Sequence, residues 1–225
     1  MPYRKIILAN DEVYHILNRG VAQTPIFNLS KEYIRFLNLM EFYCYTHPSL
    51  SFSRYKRLSQ EEKRRLKEDV KRKNSLLVEI FAYCLMPNHF HLLIKQIKDK
   101  GISKLLSRLQ NGYAKYFNLT NKRQGPLFQS MFKAIRVETD AQLLHISRYI
   151  HLNPSTSYLV EINNLSTYLW SSFPEYLGER PFSYIKAGTI LDMIGGKEKY
   201  KKFIFNQAEY QRKLNIIRHL ALEKP

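Results

Sequence analysis

The chain has 225 residues, 44% of them hydrophobic, with 36 Lys and Arg against 19 Asp and Glu, a net charge of +17. That composition excludes a disordered tail, and the length allows one sizeable core or a core plus a small appendage. The charge excess points to a polyanionic partner, with nucleic acid first and an anionic membrane surface second.

VYHILNR, Val13 to Arg19, is apolar and β-branched and is closed by Gly20, so it predicts a first strand. Ser30 is placed to cap a helix of about four turns. Tyr33, Phe36, Leu37, Met40, Tyr43 and Cys44 recur along it at helical spacing and give one buried face, and His47-Pro48 is expected to stop it. Ser59-Gln-Glu-Glu62 spells a capping box. It opens KRRLKEDVKRKN, a helix with little apolar surface beyond Leu66 and Val70. A solvated helix laced with i,i+4 charge pairs is the simpler reading, and a phosphate-contacting projection is the sharper one.

Leu76 to Met86 predicts an apolar strand, Pro87-Asn88 a turn, and His89 to Ile97 a second strand, antiparallel to the first because the connection is so short. Ile102, Leu105, Leu106, Leu109, Tyr113 and Phe117 mark an amphipathic helix whose other side carries Lys104, Arg108, Asn111 and Lys115. After the break at Gly125-Pro126, Leu127 to Val137 returns as a strand. Thr139-Asp-Ala-Gln142 is a second capping box, opening a helix through Leu143, Ile146 and Ile150 that should end at Asn153-Pro154. The order β-α-β-β-α-β predicts an α+β, ferredoxin-like (RRM-like) antiparallel sheet with helices on one face. We place this unit at residues 1–155, with a charged helical insertion at about 51–75, and a small C-terminal helical appendage at 156–225. No apolar run approaches the ~20 residues that span a bilayer, and Ile6 to Ala9 is too short for a signal peptide. Cys44 and Cys84 lie in apolar sequence and read as buried free thiols of a reducing cytoplasm.

Alternate side chains of a strand share a face, so His89 and His91 point the same way, while Phe90, Leu92 and Ile94 fill the core on the other side. Two imidazoles on an open sheet face can present two nitrogens to one divalent ion, and otherwise they are hydrogen-bonded packing. A metal needs a third ligand. The helix from Thr139 supplies candidates four residues apart on one face: Tyr149, a phenolic nucleophile, and Asn153, a carboxamide oxygen. Tyr113 and Tyr116 are rivals to Tyr149, although Tyr113 falls on an apolar stripe.

PNHFHLL on a strand and YIHLNP on a later helix, in that order and spacing, resemble the HUH single-tyrosine transposases, and among them the REP-associated tyrosine transposases. YHILNRG near the start and WSSFPEYLG after the helix that carries YIHLNP resemble the same family. The likeness runs roughly from Asp11 to Gly178. The insertion-sequence relatives often have Gln at the position of Asn153, and the Asn-Pro form points to the REP-associated branch. The charged helix from Ser59 to Asn74 is longer than the family's compact core needs, and the tail beyond about Gly195 carries no motif of the family.

The resemblance implies a metal-dependent single-stranded DNA endonuclease and strand transferase. His89 and His91 would be metal ligands completed by Asn153, the ion Mg²⁺ or Mn²⁺, and Tyr149 the nucleophile that forms a 5′-phosphotyrosine. A phenol with pKa near ~10 needs help to lose its proton, and His145, one turn back, is a candidate for assisting. Arg19, Lys104, Arg108, Lys115 and Lys133 would track the DNA backbone, with aromatics stacking unpaired bases. The implied partner is single-stranded or hairpin DNA, with no membrane and no small-molecule cofactor, in a bacterial cytoplasm. Monomer and swapped homodimer are both compatible with the sequence. The competing hypotheses are a catalytically inactive DNA- or RNA-binding protein on the same fold, and an RNA-processing enzyme.

Overall fold

The computed structural model describes residues 7–46, 50–181 and 184–206. The expected helix stop at His47-Pro48 lies outside the described residues. Four antiparallel strands, β1 (Val13–Arg19), β2 (Val78–Met86), β3 (His89–Gln96) and β4 (Lys133–Val137), lie in the order β2-β3-β1-β4. That order is the ferredoxin-like arrangement expected from the alternation of elements.

Helices α1 (Ser30–Tyr43) and α4 (Gly101–Thr120) cover one face of the sheet. Phe90 of β3 is fully buried there, its ring 5.1 Å from Phe36 and 6.0 Å from Phe128. Tyr113 lies 5.2 Å from Phe36 and donates to the carbonyl of Ile26, so it is a core residue. Asn18 of β1 is buried on this face and donates to Gln110 of α4 at 2.8 Å, which satisfies its amide. Along β1 the burial alternates: Tyr14, Ile16 and Asn18 are buried, whereas His15, Leu17 and Arg19 on the other face are half-buried.

Beyond β4, helix α5 (Asp140–Thr156) crosses the second face and packs on β2 and β3. It makes those strands buried on both sides, which is why they read as near-continuous apolar runs. Both cysteines are free and buried, and burial pushes both thiols up.

The residues after α5 share this core. Helices α6 (Phe173–Leu177), α7 (Ala187–Ile194) and α8 (Lys197–Phe205) contribute Phe173, Tyr176, Ile190, Tyr200 and Ile204, all fully buried. WSSFPEYLGER is the fastener. Trp170 stacks on Tyr33 at 4.5 Å, and Ser172 accepts from the Tyr83 N–H at 2.9 Å. Arg180 joins buried Glu175 to Tyr83, with both distances 2.8 Å.

The insertion folds as α2 (Phe52–Arg57) and α3 (Gln60–Arg72). Ser59 and Glu62 form the expected capping box. Arg64 pairs with Glu61 and Glu68, Arg65 with Glu61, Lys67 with Glu41, and Arg72 and Lys73 with Asp69. The exposed ion-pair helix is therefore the reading that the structure supports, with each pair contributing little to stability.

Local expectations differ in three places. Ser30 is the first helical residue of α1 and not its cap, because the buried Glu32 carboxylate reaches back to the N–H groups of Asn28 and Leu29. The last strand is limited to Lys133–Val137, since Leu127 and Phe128 bridge to the end of β1 and the chain bends before pairing resumes. Helix α5 runs through Pro154 to Thr156. Asn153 to Thr156 are all buried, so tertiary packing outweighs the hydrogen bond that the proline removes. In the second capping box, Thr139 accepts from the Gln142 N–H, and the Gln142 side chain returns to the N–H of Glu138.

Candidate active site

The tight turn at Pro87-Asn88 starts β3 so that His89 and His91 lie on the face opposite α1 and α4. Pairing with β1 sets Arg19 beside His89 and Leu17 beside His91. On this face His15, two residues before Leu17, comes next to His91: His15 Nε2 and His91 Nδ1 are 3.0 Å apart, and the rings stack at 5.2 Å. His89 and His91 are edge to face at 4.9 Å. Beyond β1 the face opens, with Lys133 exposed and Ile135 58% exposed.

Helix α5 forms the opposite wall. Leu143 and Ile150 anchor it, and Tyr149 on the adjoining face lies over the histidines while remaining 36% exposed. Its ring meets His91 edge to face at 5.5 Å and His15 at 5.9 Å. One turn on, Asn153 is buried and donates through Nδ2 to the Tyr149 carbonyl at 2.8 Å, so Oδ1 is the atom it has to offer as a ligand.

Burial sets the charge of the cluster. The His15 and His89 imidazoles are pulled down to about 4, both by desolvation, with the Arg19 cation adding to the effect at His89. His91 lies well below its ordinary value, first by burial and then by its neighbours His89, His15 and Arg19. At neutral pH all three rings are uncharged and carry a lone pair, the form that binds a metal ion. Among the described residues no group of three His, Cys, Asp or Glu side chains is arranged to hold a metal ion. Two neutral imidazole nitrogens, with the Asn153 amide oxygen on the neighbouring helix, are a donor set that a divalent ion could take.

The remaining sequence candidates fall into different places. Arg19 and Lys133 stand on the histidine face, opposite His89 and Leu17 respectively. Lys104, Arg108 and Lys115 project from the solvent side of α4, which covers the other face of the sheet, and Lys104 donates to the Asp99 carbonyl. His145 accepts at Nδ1 from Arg148, whose guanidinium lies 4.2 Å over the Phe203 ring. The imidazoles that face the Tyr149 ring are His91 and His15. His151 is fully buried between Tyr200 and Ser172, both at 2.7 Å, and ties α5 to the C-terminal helices.

Sequence reasoning missed His15 and Asn88. His15 lies in the quoted strand VYHILNR, but only the register of β1 against β3 shows that it meets His91.

Residues 42–153 match a family profile described as "Transposase IS200 like". The span contains His89, His91, Tyr149 and Asn153, and leaves β1 with His15 outside. The curated proteins contain no match to the sequence. Among solved structures, "Structure of the REP associates tyrosine transposase bound to a REP hairpin" is similar at 15% identity, with a TM-score of 0.53, 87% of this chain and 97% of that chain covered. At that identity the likeness establishes a shared fold.

Proposed function

Residues 42–153 belong to the IS200-like transposase family, and on that premise we propose that the protein is a metal-dependent single-stranded DNA endonuclease and strand transferase working through a covalent 5′-phosphotyrosine. The observation that carries this is the position of Tyr149, edge-on to His91 in an open cleft of a basic protein. His89 Nε2, His91 Nε2 and Asn153 Oδ1 are the atoms that would hold Mg²⁺ or Mn²⁺. Bound there, the ion supplies Lewis-acid polarisation of the scissile phosphate and neutralises developing charge.

The chain's own residues do the rest. Tyr149 Oη attacks phosphorus, the new phosphotyrosine bond forms, and the bond to the 3′ oxygen breaks. The phenol gives up its proton, and the leaving 3′ oxygen takes one up as a hydroxyl. The phosphodiester energy is kept in the covalent link, so a 3′-hydroxyl can later reverse the step and reseal without ATP. Arg19 and Lys133, on the same face, hold the backbone that flanks the scissile phosphate. Hairpin DNA with a single-stranded flank is the proposed substrate, and the similar solved structure was obtained with a REP hairpin. Residues 1–155 would carry the nuclease chemistry, with the chain from 156 onward buttressing them through the shared core, acting on DNA in a bacterial cytoplasm. No helix among the described residues is long and apolar enough to cross a membrane.

Labelled hairpins from the flanks of its own gene, incubated with the protein and Mn²⁺, should yield a covalent adduct resistant to denaturation. Undiminished adducts from Tyr149→Phe would remove Tyr149 from its role. One observation favours a binding-only protein: His89 and His91 lack a third His, Cys, Asp or Glu partner arranged for a metal among the described residues. Salt-dependent hairpin binding without cleavage under Mg²⁺ or Mn²⁺ would establish that alternative.

A further inference from the structure

His15 and Asn88 hold the two histidines in one and the same way. His89 Nδ1 lies 2.6 Å from Asn88 Oδ1. An amide oxygen can only accept, so His89 must carry its proton on Nδ1. The Asn88 amide is itself fixed, because its Nδ2 donates to the Gln23 carbonyl at 3.2 Å. Gln23 belongs to a turn in which two successive non-glycine residues, Ala22 at φ 51° and Gln23 at φ 59°, take the left-handed conformation. Such backbone is costly and persists where surrounding structure holds it; here it aims a carbonyl at the residue that orients His89.

His91 is held through its Nδ1 as well, by His15 Nε2 at 3.0 Å. Two tautomer arrangements satisfy that bond. With the proton on His15 Nε2, His91 would carry its own on Nε2, where no described residue accepts from it and where the proton would close that nitrogen to a cation. With the proton on His91 Nδ1, every ring nitrogen facing the cleft is a lone pair.

We infer that His15 and Asn88 are positioning residues that lock His91 and His89 in the Nδ1–H tautomer, so that both rings present Nε2 to one cation. The inference rests on the metal reading of the cleft but concerns the protein before any metal binds. His15 lies on β1, outside the span of the family match, and its role follows from the strand pairing and the ring contact it allows with His91. A partner at the second ring nitrogen fixes both the orientation of a ligating imidazole and which nitrogen it offers.

The test begins with the metal-free, full-length wild type. Long-range ¹H–¹⁵N spectra of ¹⁵N-histidine-labelled protein at neutral pH should show His89 and His91 both protonated on Nδ1. A His91 protonated on Nε2 overturns the inference without any variant. His15→Phe keeps a ring but removes the acceptor: His91 should then populate both tautomers, and Mn²⁺ affinity by calorimetry should fall about 10-fold or more. His15→Gln, which returns an acceptor oxygen, should restore the His91 tautomer and most of the affinity. Asn88→Ala should disturb His89 and leave His91 as it was. Unchanged tautomers in His15→Phe would overturn the role of His15. A wild type with the stated tautomers that binds no Mn²⁺ would support the positioning while removing the metal reading on which the proposed function stands.

Discussion

Tyr149 and His91 meet edge to face across the junction of α5 and β3, with ring centroids 5.5 Å apart and planes at 88°. The pair joins two segments that sequence leaves far apart, and the wall of the cleft on one side is the nucleophile proposed for cleavage. Replacement of Tyr149 by Phe keeps the ring and its packing and removes only the oxygen. The expected result is loss of the covalent adduct to below detection, with hairpin binding within about twofold of wild type and no change in urea midpoint, since losses at exposed sites stay within ~0.5 kcal/mol. Denaturing gels with labelled oligonucleotide and a filter-binding titration read the two effects separately.

Stability should fall as the solution is acidified. Burial holds the His151 imidazole down to about 3, and His15 and His89 at about 4, each below the ordinary 6.5. Above 6.5 these rings are neutral in both the folded and the unfolded chain, and the full stability is present. As pH falls from 6.5 the unfolded chain gains protons that the folded one does not, so stability is lost until the folded values are passed. His151 alone accounts for about 3 kcal/mol between pH 6.5 and pH 4 at ~1.4 kcal/mol per unit. Urea unfolding across that window should show the slope, and His151→Gln should flatten it. A pH-independent midpoint would contradict the burial assigned to these rings.

Arg180 bonds Glu175, Tyr83 and the Ser171 carbonyl, at 2.8, 2.8 and 2.9 Å. The Glu175 side chain is only 2% exposed. Arg180→Ala therefore takes the guanidinium away from a buried carboxylate where α6 docks on β2, leaving it the Tyr83 hydroxyl at 3.3 Å, at an expected cost of about 3 kcal/mol. Combining Glu175→Gln with Arg180→Met should recover most of that loss in chemical denaturation, because the buried charge is gone. Equal destabilisation by the single and double variants would show that packing, not charge, holds this junction.

The basic residues should divide into two groups. Arg19 and Lys133 flank the histidines, whereas Lys104, Arg108 and Lys115 project from α4 on the far side of the sheet. Alanine at Arg19 or Lys133 should weaken single-strand binding and reduce the slope of log K against log salt by ~0.7 for each phosphate no longer neutralised. The α4 triple variant should leave that single-strand slope unchanged. A salt titration on an unstructured oligonucleotide decides the matter, and equal slopes for both sets of variants would mean that the strand wraps both faces.

Much of this molecule follows from local pattern. The two-residue period of β1 and β3 puts His89 and His91 on one face and Phe90, Leu92 and Ile94 on the other, because alternation is a property of the strand itself. The helical period of 140–153 likewise sets Tyr149 and Asn153 on one side, and PNHFHLL and YIHLNP together carry the family resemblance from which their chemistry is proposed. Tertiary structure decided what depends on residues distant in the chain. The β1–β3 register brings His15 to His91, and no local pattern encodes a register between residues 76 apart in the chain. Packing of α5 on β2 and β3 carries that helix through Pro154, against its local preference, and turns Tyr149 over the histidines. The face chosen by α4 sends three of the five basic residues expected on DNA away from the cleft, since a helix's apolar stripe specifies that it will be buried and not against which side of the sheet.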